Sequence, residues 1–342
     1  MDAWVPLIKH VCMQLVALVT LRTYVVRRLI LLIPTFFLIS IILFALIHLA
    51  PGDPIRAMFG PRQITPEVRE RLTRELGLDQ PIPVQYLIWM SNVLRGDLGY
   101  SYITSAPVFD MISVRIPRTV ELMFLAEIVS VVIGIVLGVI SAVKHQSLAD
   151  AASTLWALIG YSTPNFWIGL MAIMVLAVGL GWFPVGGMKT SGVTFPTPFH
   201  ALLDHLSHAT LPVFILAYGW AAYLLRLVRS SMLEVLRQDY ITTARAKGLK
   251  ERVVIYKHAL RNALLPVVTY EGYSMGFLLG GAVVIEEVFT WLGLGHFMIN
   301  AATNRDYPIL MGLSIIIALM VLIANLCADI AYAIVDPRIT YE

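Results

Sequence analysis

The fold class is decided by the stretch Leu29-Ile-Leu-Leu-Ile-Pro-Thr-Phe-Phe-Leu-Ile-Ser-Ile-Ile-Leu-Phe-Ala-Leu-Ile-His-Leu-Ala50, which carries no formal charge. As a helix rising about 1.5 Å per residue, this stretch just crosses the roughly 30 Å hydrocarbon core of a bilayer. Five more apolar stretches without strand-like alternation follow at residues 119–143, 151–180, 209–225, 263–285 and 308–335. Lipid offers no partner to an unpaired backbone group, so these stretches predict six transmembrane helices.

The composition of the whole chain agrees with this prediction. Its 342 residues are 58% hydrophobic and 14% charged, with a mean hydropathy of +0.78, whereas soluble proteins have about 25% charged residues. Cys12 and Cys327 both lie in apolar runs and give neither a disulfide framework nor a metal-ligand spacing. We therefore predict an all-α membrane protein, with a break at Pro164 inside the long third span.

Basic residues beside the spans predict the orientation of the chain, because cytosolic loops carry an excess of Lys and Arg. One set of loops holds Arg22, Arg27 and Arg28 before the first span, Lys144 after the second, Arg226 and eight further basic residues after the fourth, and Arg338 after the sixth. The alternate set of short loops holds only Lys189 and Arg305. We therefore expect both termini, residues 1–28 and 336–342, in the cytosol.

Residues 51–118 form the one sizeable hydrophilic insertion, and this orientation places it outside the cell membrane. Thr65 followed by Pro66 predicts a helix start, and Gly77 predicts the end of that helix. Residues 84–94 predict a second, amphipathic helix. We expect a small helical extracytoplasmic subdomain that is too short for a large core of its own.

A short apolar stretch at residues 11–21 precedes the first span. Lys9 and His10 stand before it and Arg22 closes it, without a small-x-small cleavage site. The stretch is too short to span a bilayer. An interfacial helix and a start codon assigned too far upstream both fit the pattern.

Residues 229–262 form a basic segment between the fourth and fifth spans. It holds eight Lys or Arg residues against three acids and contains Asp239-Tyr-Ile-Thr-Thr-Ala-Arg-Ala-Lys-Gly-Leu249, with His258-Ala-Leu-Arg-Asn-Ala-Leu-Leu-Pro266 at its end. Gly248 stands where a helix would need a sharp exit. A polar segment of this kind does not cross the bilayer, so we expect it to present a surface to a cytosolic partner.

This segment resembles the ATPase-docking loop of ABC importer permeases, in the variant of the oligopeptide/dipeptide subfamily. The general family pattern is Glu-Ala-Ala, three residues, Gly, nine residues and Ile-x-Leu-Pro. Here Thr242-Thr-Ala244 stands in the first slot, Gly248 in the second and His258-Ala-Leu-Arg261 in the third. The spacing matches, while the Glu and the final Pro of the general pattern are missing.

The resemblance extends over nearly the whole chain, from about Arg22 to Arg338. It is carried in order by Pro51-Gly-Asp-Pro54, Leu76-Gly-Leu-Asp-Gln-Pro81, Gly96-Asp-Leu-Gly-Tyr-Ser101, Tyr161-Ser-Thr-Pro-Asn-Phe-Trp167 and Asp336-Pro-Arg338. It implies an ABC type I importer permease fold with a transmembrane core over residues 119–335. It also implies four other subunits: a second permease, two cytosolic ATPases and an external binding protein.

The same resemblance implies how the segment works. The helix ending near Gly248 would enter a groove of the ATPase through Tyr240, Ala244, Arg245, Lys247, Gly248 and Leu249. ATP and Mg²⁺ would be bound by the partner ATPases, because this chain has no Gly-x4-Gly-Lys-Ser/Thr loop. No cofactor of its own and no nucleic-acid partner are implied, and its remaining contacts would be with membrane lipid.

Candidates for the translocation path come from charged and small residues inside the spans. Glu127 and Glu271 are costly in a membrane, so they bond to a neighbouring helix or face a hydrated path. Gly272, Gly276, Gly280 and Gly281 recur near every fourth residue of the fifth span, on one helix face. Close helix packing and a pore-lining face both fit that spacing.

The sequence shows no catalytic constellation. His200, His205 and His208 lie close together in a predicted external loop, where solvation or a metal site would explain them. The function that this pattern favours is one permease subunit of an ATP-driven peptide importer. Nickel, glutathione, opines and short oligosaccharides are alternative substrates within the same family. An ion-coupled secondary transporter would need a repeat or a charged relay, and a membrane-embedded enzyme would need a nucleophile–base or metal spacing.

Overall fold

The computed structural model describes residues 5–49, 65–75, 77–274 and 278–335, which form helices and connecting loops without a β-strand. The chain divides into two compact units. One unit comprises Met1–Asp97, Glu271–Phe277 and Met311–Glu342, and the other comprises Leu98–Tyr270 and Leu278–Leu310.

The helices are, in chain order, α1 (Val5–Leu49), α2 (Pro66–Glu75), α3 (Ile82–Leu94), α4 (Val108–Ser113), α5 (Ile116–Val143), α6 (Leu148–Ser162), α7 (Asn165–Ala172, continued by the π-helix Ile173–Gly179), α8 (Pro198–Val235), α9 (Asp239–Ala246), α10 (Glu251–Val253, continued by the π-helix Val254–Ala259), α11 (Leu260–Ala263), α12 (Leu265–Ser274), α13 (Leu278–Val288), α14 (Leu294–Thr303) and α15 (Tyr307–Val335).

Several of these helices are long and apolar enough to cross a membrane, so the protein is a multi-pass membrane protein. Four candidates stand alone: Val25–Leu46, Val108–Val143, Pro198–Val235 and Tyr307–Ile330. A fifth is the bent pair α6–α7, whose arms meet at 106°. The predicted span 263–285 corresponds to α12 and α13, but residues 275–277 between them lie outside the described residues. The sixth crossing therefore stays a prediction.

The break of the bent pair falls where Pro164 predicts it. Thr163 is extended (φ −106°, ψ 132°) and Pro164 is extended as well (φ −60°, ψ 130°). Proline disfavours the helical conformation for the residue before it, so the helix ends at Ser162. The new helix then starts directly after Pro164, and the prediction of a break is confirmed.

Within the first unit, α3 packs beside the second half of α1. The Ser40 and Tyr86 hydroxyls are 2.8 Å apart, and the Phe44 ring lies 5.5 Å from the Tyr86 and Trp89 rings. The predicted helices of the insertion are confirmed at α2 and α3, with the positive φ of Gly77 (65°) after α2. The helix α1 begins at Val5 and continues through residue 28 into the predicted first span, and the start of that span at residue 29 stays a prediction.

Within the second unit, α8 is the central helix and packs most closely against α5. Gly134 and Gly138 of α5 allow this approach, because a Cβ atom on either would lie within about 2.6 Å of a side chain of α8: 2.5 Å from Leu224 Cβ and 2.6 Å from Val228 Cβ. The predicted fourth span, 209–225, is only the middle of α8. The helix starts earlier because Thr197 caps it, with its side chain accepting from the His200 backbone N–H.

Candidate partner-docking site

The predicted docking segment, residues 229–262, begins on the last turns of α8 and continues through α9 to α11. The chain leaves α9 at Lys247, whose backbone N–H donates to the Thr243 carbonyl at 3.0 Å. Gly248 follows with φ 76° and donates its own N–H to the Arg245 carbonyl at 2.9 Å. A helix exit at Gly248 is therefore confirmed, since this left-handed conformation favours glycine.

The inner face of the segment is anchored in a hydrophobic cluster at one end of α5 and α8. Ile241 and Ala244 of α9 are buried there with Val228 and Met232 of α8. Ala244 is 7% exposed, so its side of α9 packs inward, and its predicted contact with an ATPase stays a prediction. Its small side chain lets α9 lie close to the cluster, and the segment is thereby tied to the membrane helices by apolar burial.

The outer face of the segment presents aromatic, aliphatic and basic side chains. Tyr240 is 42% exposed and Leu249 is 41% exposed, and Lys247 is exposed as well. The Tyr240 hydroxyl accepts a hydrogen bond from Asn262 Nδ2 at 2.7 Å, which links α9 to α11. An exposed Tyr and Leu beside a Lys is a surface suited to a protein partner, because aromatic anchors dominate such interfaces.

Arg245 is used inside the segment. Its Nη2 lies 2.8 Å from Glu251 Oε1 and its Nε lies 3.3 Å from Glu251 Oε2, so the pair closes the bend at Gly248. These bonds lower the pKa of the Glu251 carboxyl and raise the pKa of the Arg245 guanidinium. Both side chains are about half exposed, so the pair shapes the bend more than it stabilises it.

An ion pair at the base of the segment joins it to the bent pair. Arg229 of α8 binds Asp150 of α6 with two hydrogen bonds, Nε to Oδ1 at 2.7 Å and Nη2 to Oδ2 at 2.9 Å. Asp150 also accepts from the Ser141 hydroxyl and the Gln146 backbone N–H, and it contacts His145 Nδ1 at 3.1 Å. The sequence did not point to this network, because Asp150 stands just outside the uncharged span 151–180 and its partner Arg229 is 79 residues away.

The predicted path residues are only partly described. Glu127 is half-buried on α5, and within the described part of the chain its carboxylate has no hydrogen bond or ion pair. Glu271 and Gly272 lie on α12, and Gly280 and Gly281 lie on α13. Gly276 falls outside the described residues. The shared glycine face therefore stays a prediction.

The three histidines predicted in an external loop lie instead on the first turns of α8. His205 Nδ1 contacts the Met188 carbonyl at 3.0 Å and its Nε2 contacts Glu121 Oε1 at 2.6 Å. His208 Nδ1 contacts the Asp204 carbonyl at 2.8 Å. Among the described residues, no group of three or more His, Cys, Asp or Glu side chains is placed to hold a metal ion.

A buried carboxylate that the sequence analysis did not single out lies after the predicted fifth span. Glu286 is fully buried and accepts from the Thr119 hydroxyl at 2.6 Å and from the Gly295 and His296 backbone N–H groups at 2.7 and 3.2 Å. It thereby caps the start of α14 and ties α13 to α5. The adjacent Glu286-Glu287 pair at the end of an apolar run was the available signal.

Comparison with known proteins agrees with the geometry. The family described as "Binding-protein-dependent transport system inner membrane component" matches residues 134–341, and its N-terminal part matches residues 21–123. The chain is 45% identical to the oligopeptide transport system permease protein AppB of Bacillus subtilis (strain 168), over 94% of this chain and 100% of that protein. It is 42% identical to the dipeptide transport system permease protein DppB of Escherichia coli (strain K12), over 93% and 99%. It is also 41% identical to the di/tripeptide transport system permease protein DppB of Pseudomonas aeruginosa (strain UCBPP-PA14), over 94% and 99%. This chain therefore belongs to the family of binding-protein-dependent transport system inner membrane components, which are permease subunits of ABC importers.

Proposed function

We propose that this chain is one permease subunit of an ATP-driven importer of di- or oligopeptides that an external binding protein delivers. The observation that carries the proposal is the docking segment, whose outer face is exposed while its inner face is buried against the ends of α5 and α8. The names of the relatives support the peptide substrate. Nickel, glutathione, opines and short oligosaccharides stay alternatives.

The mechanism follows from how the segment is anchored. ATP and Mg²⁺ bind to two partner ATPases, which close on each other and displace the docked helix α9. Because Ile241 is buried against α8 and Arg229 is paired with Asp150, the displacement passes to α8 and α6 rather than being absorbed in a loose loop. The membrane helices of this chain and of a second permease then alternate between two openings. This chain does not hydrolyse ATP itself.

The proposed topology has six crossings, with residues 1–28, 229–262 and 336–342 in the cytosol and residues 51–118 outside. The supporting observation is that the Arg229–Asp150 pair joins the docking segment to the start of α6, directly after the short loop that holds Lys144, and both loops are predicted to be cytosolic. Cysteine placed at Glu70, on the exposed surface of α2, is expected to react with an impermeant maleimide in intact cells.

For the translocation path we propose Glu127, Glu271 and the glycines 272, 276 and 280. Glu127 is supported by its half-buried carboxylate, which meets no acceptor or donor of the described residues. A carboxylate left in such a position is costly unless it faces water or a ligand. It is therefore suited to a hydrated path that passes the amino group of a peptide.

One experiment separates this function from the other classes. The tagged chain is solubilised in detergent, purified and tested for a bound ATPase, and the complex is reconstituted with its binding protein to measure uptake. We expect two ATPase copies to copurify and uptake to require ATP. Uptake by the chain without an ATPase, driven by an ion gradient, would show a secondary transporter. The ligand that raises the thermal stability of the binding protein would then identify the substrate.

A further inference from the structure

The exposed face of the second half of α8 differs from the exposed face of α5, the helix that packs most closely against it. Along α5 the exposed positions are aromatic or aliphatic, with Phe124, Ile128 and Val132 at four-residue spacing. Along the second half of α8 the open face instead carries Arg226 and Ser230. A face turned to lipid favours the first composition, because an exposed charge or hydroxyl in hydrocarbon is costly. Arg226 lies directly after the predicted fourth span, at the end of α8 that leads into the docking segment, so the open face at this end of α8 is expected to meet water rather than hydrocarbon.

Arg226 is held on this face by an aromatic ring. Its guanidinium lies over the Tyr161 ring of α6, with 4.5 Å from Cζ to the ring centroid, a distance typical of a cation–π contact. No described residue offers it a carboxylate or carbonyl oxygen. Arg229, one turn further along α8, is paired through its Nε and Nη2 groups with both carboxylate oxygens of Asp150. Among the described residues, the charge of Arg229 is therefore neutralised by a carboxylate and the charge of Arg226 is not.

The geometry of the contact leaves Arg226 ready for an anion. The ring covers the flat side of the guanidinium, while the N–H groups point outward in its plane, where two of them can bind both oxygens of a carboxylate. Tyr223, one turn before Arg226 on the same helix, stacks on Tyr270 with 4.2 Å between the ring centroids. This pair offers an apolar wall beside the charge, and the combination fits a carboxylate that has an organic chain attached.

We propose that Arg226, oriented by Tyr161, binds the terminal carboxylate of the peptide during its passage through the permease. The proposal rests on the proposed function and adds a specificity-determining residue to it. The binding would be transient, because the Arg226 side chain is exposed and a tightly held ligand would not leave. Arg226 would thereby select chains that end in a free carboxylate after the binding protein has released them.

The test compares two tripeptides that differ only at the carboxyl end, one free and one amidated, in vesicles containing the whole complex. Each peptide is supplied together with the binding protein, at a peptide concentration at which the binding protein has been measured to be fully occupied. We expect the wild-type complex to favour the free acid. Arg226→Gln should lower uptake of the free acid by about tenfold, the value of one charge-assisted contact, and leave the amide unchanged. Arg226→Lys keeps the charge but loses the two-pronged contact with the carboxylate, so it should keep only part of the preference.

The controls separate this role from a structural one. Arg237→Gln removes another exposed cation of the same region and should leave the ratio of the two uptake rates unchanged. An equal loss for both peptides in Arg226→Gln, or an unchanged ratio, would overturn the proposal. So would an effect that appears only in vesicles with the anionic lipid phosphatidylglycerol and not with zwitterionic phosphatidylcholine, since Arg226 would then bind an anionic lipid headgroup. A wild-type complex that assembles but takes up neither peptide would refute the peptide function itself.

Discussion

Replacing Gly248 tests whether the bend after α9 sets the docking geometry. Gly248 has φ 76°, and a Cβ atom built on it meets nothing within 4 Å. Gly248→Ala therefore clashes with nothing, and its cost is conformational, about 1–2 kcal/mol for a side chain in the left-handed region. That energy shifts the equilibrium between the native bend and other conformations by about five- to thirtyfold away from the native bend.

Gly248→Pro is the stronger form of the same change. Proline fixes φ near −65°, far from the observed 76°, and removes the N–H that donates to the Arg245 carbonyl at 2.9 Å. The bend cannot survive, while the membrane helices on either side keep their packing. Gly248→Asn should lie nearest the wild type, because asparagine tolerates the left-handed conformation better than alanine does.

A matched control exists at Gly192, in the connection before α8. Its φ is also 76° and its Cβ would also meet nothing within 4 Å, so Gly192→Ala carries the same backbone cost at a site away from the docking segment. Uptake and ATPase activity are measured in vesicles for each variant, beside the yield of complex. We expect uptake per ATP hydrolysed to fall in the order Asn, Ala, Pro at position 248 and to stay normal in Gly192→Ala. Normal coupling in Gly248→Pro would refute the reasoning.

Two further predictions concern charges. Arg245→Glu and Glu251→Arg should each lower uptake per ATP hydrolysed, and the double variant should restore it, because the two side chains bind each other. If the double variant couples as poorly as the single variants, Arg245 instead contacts the ATPase. Glu286→Ala should lower the unfolding free energy of the purified complex by about 3 kcal/mol, because it leaves the Thr119 hydroxyl and two backbone N–H groups buried without an acceptor. Glu287→Ala changes a half-exposed side chain and should lower the unfolding free energy by about 1 kcal/mol or less. Thermal unfolding in detergent ranks these two variants, and equal losses would contradict the assignment.

The sequence was a good guide wherever a local rule decides the conformation. Pro164 restricts its own backbone and that of Thr163, so the break in the third span could be located to the residue. Gly248 marks a helix exit because few other residues accept its φ. The first helix of the insertion was predicted from Thr65 and Gly77 for the same reason. Each of these features is determined by residues that are adjacent in the chain, so the sequence alone is enough to predict it.

The sequence was a poor guide wherever contacts between residues far apart in the chain determine the structure. Hydropathy marked only residues 209–225 of α8, because the ends of that helix are polar and gain their partners from elsewhere: His205 from Glu121, and Arg229 from Asp150. Ala244 looked like part of the docking surface, and only the fold shows that its side of α9 is turned inward. The partners of Glu286 lie on α5 and α14, so no local pattern could assign its role.

The Arg229–Asp150 pair and the break at Pro164 together determine which helices are expected to move when the docking segment is displaced. Arg229 lies on the same continuous helix that leads into α9, and its two bonds to Asp150 fix α6 to α8 at that end. A displacement of α9 is therefore expected to carry α8 and α6 together. Across Pro164 no helical hydrogen-bond ladder continues and the chain turns by 106°. We infer that α6 moves with the docking segment, whereas α7 can move independently of it. Thr163 and Pro164 would then be the hinge between the two helices.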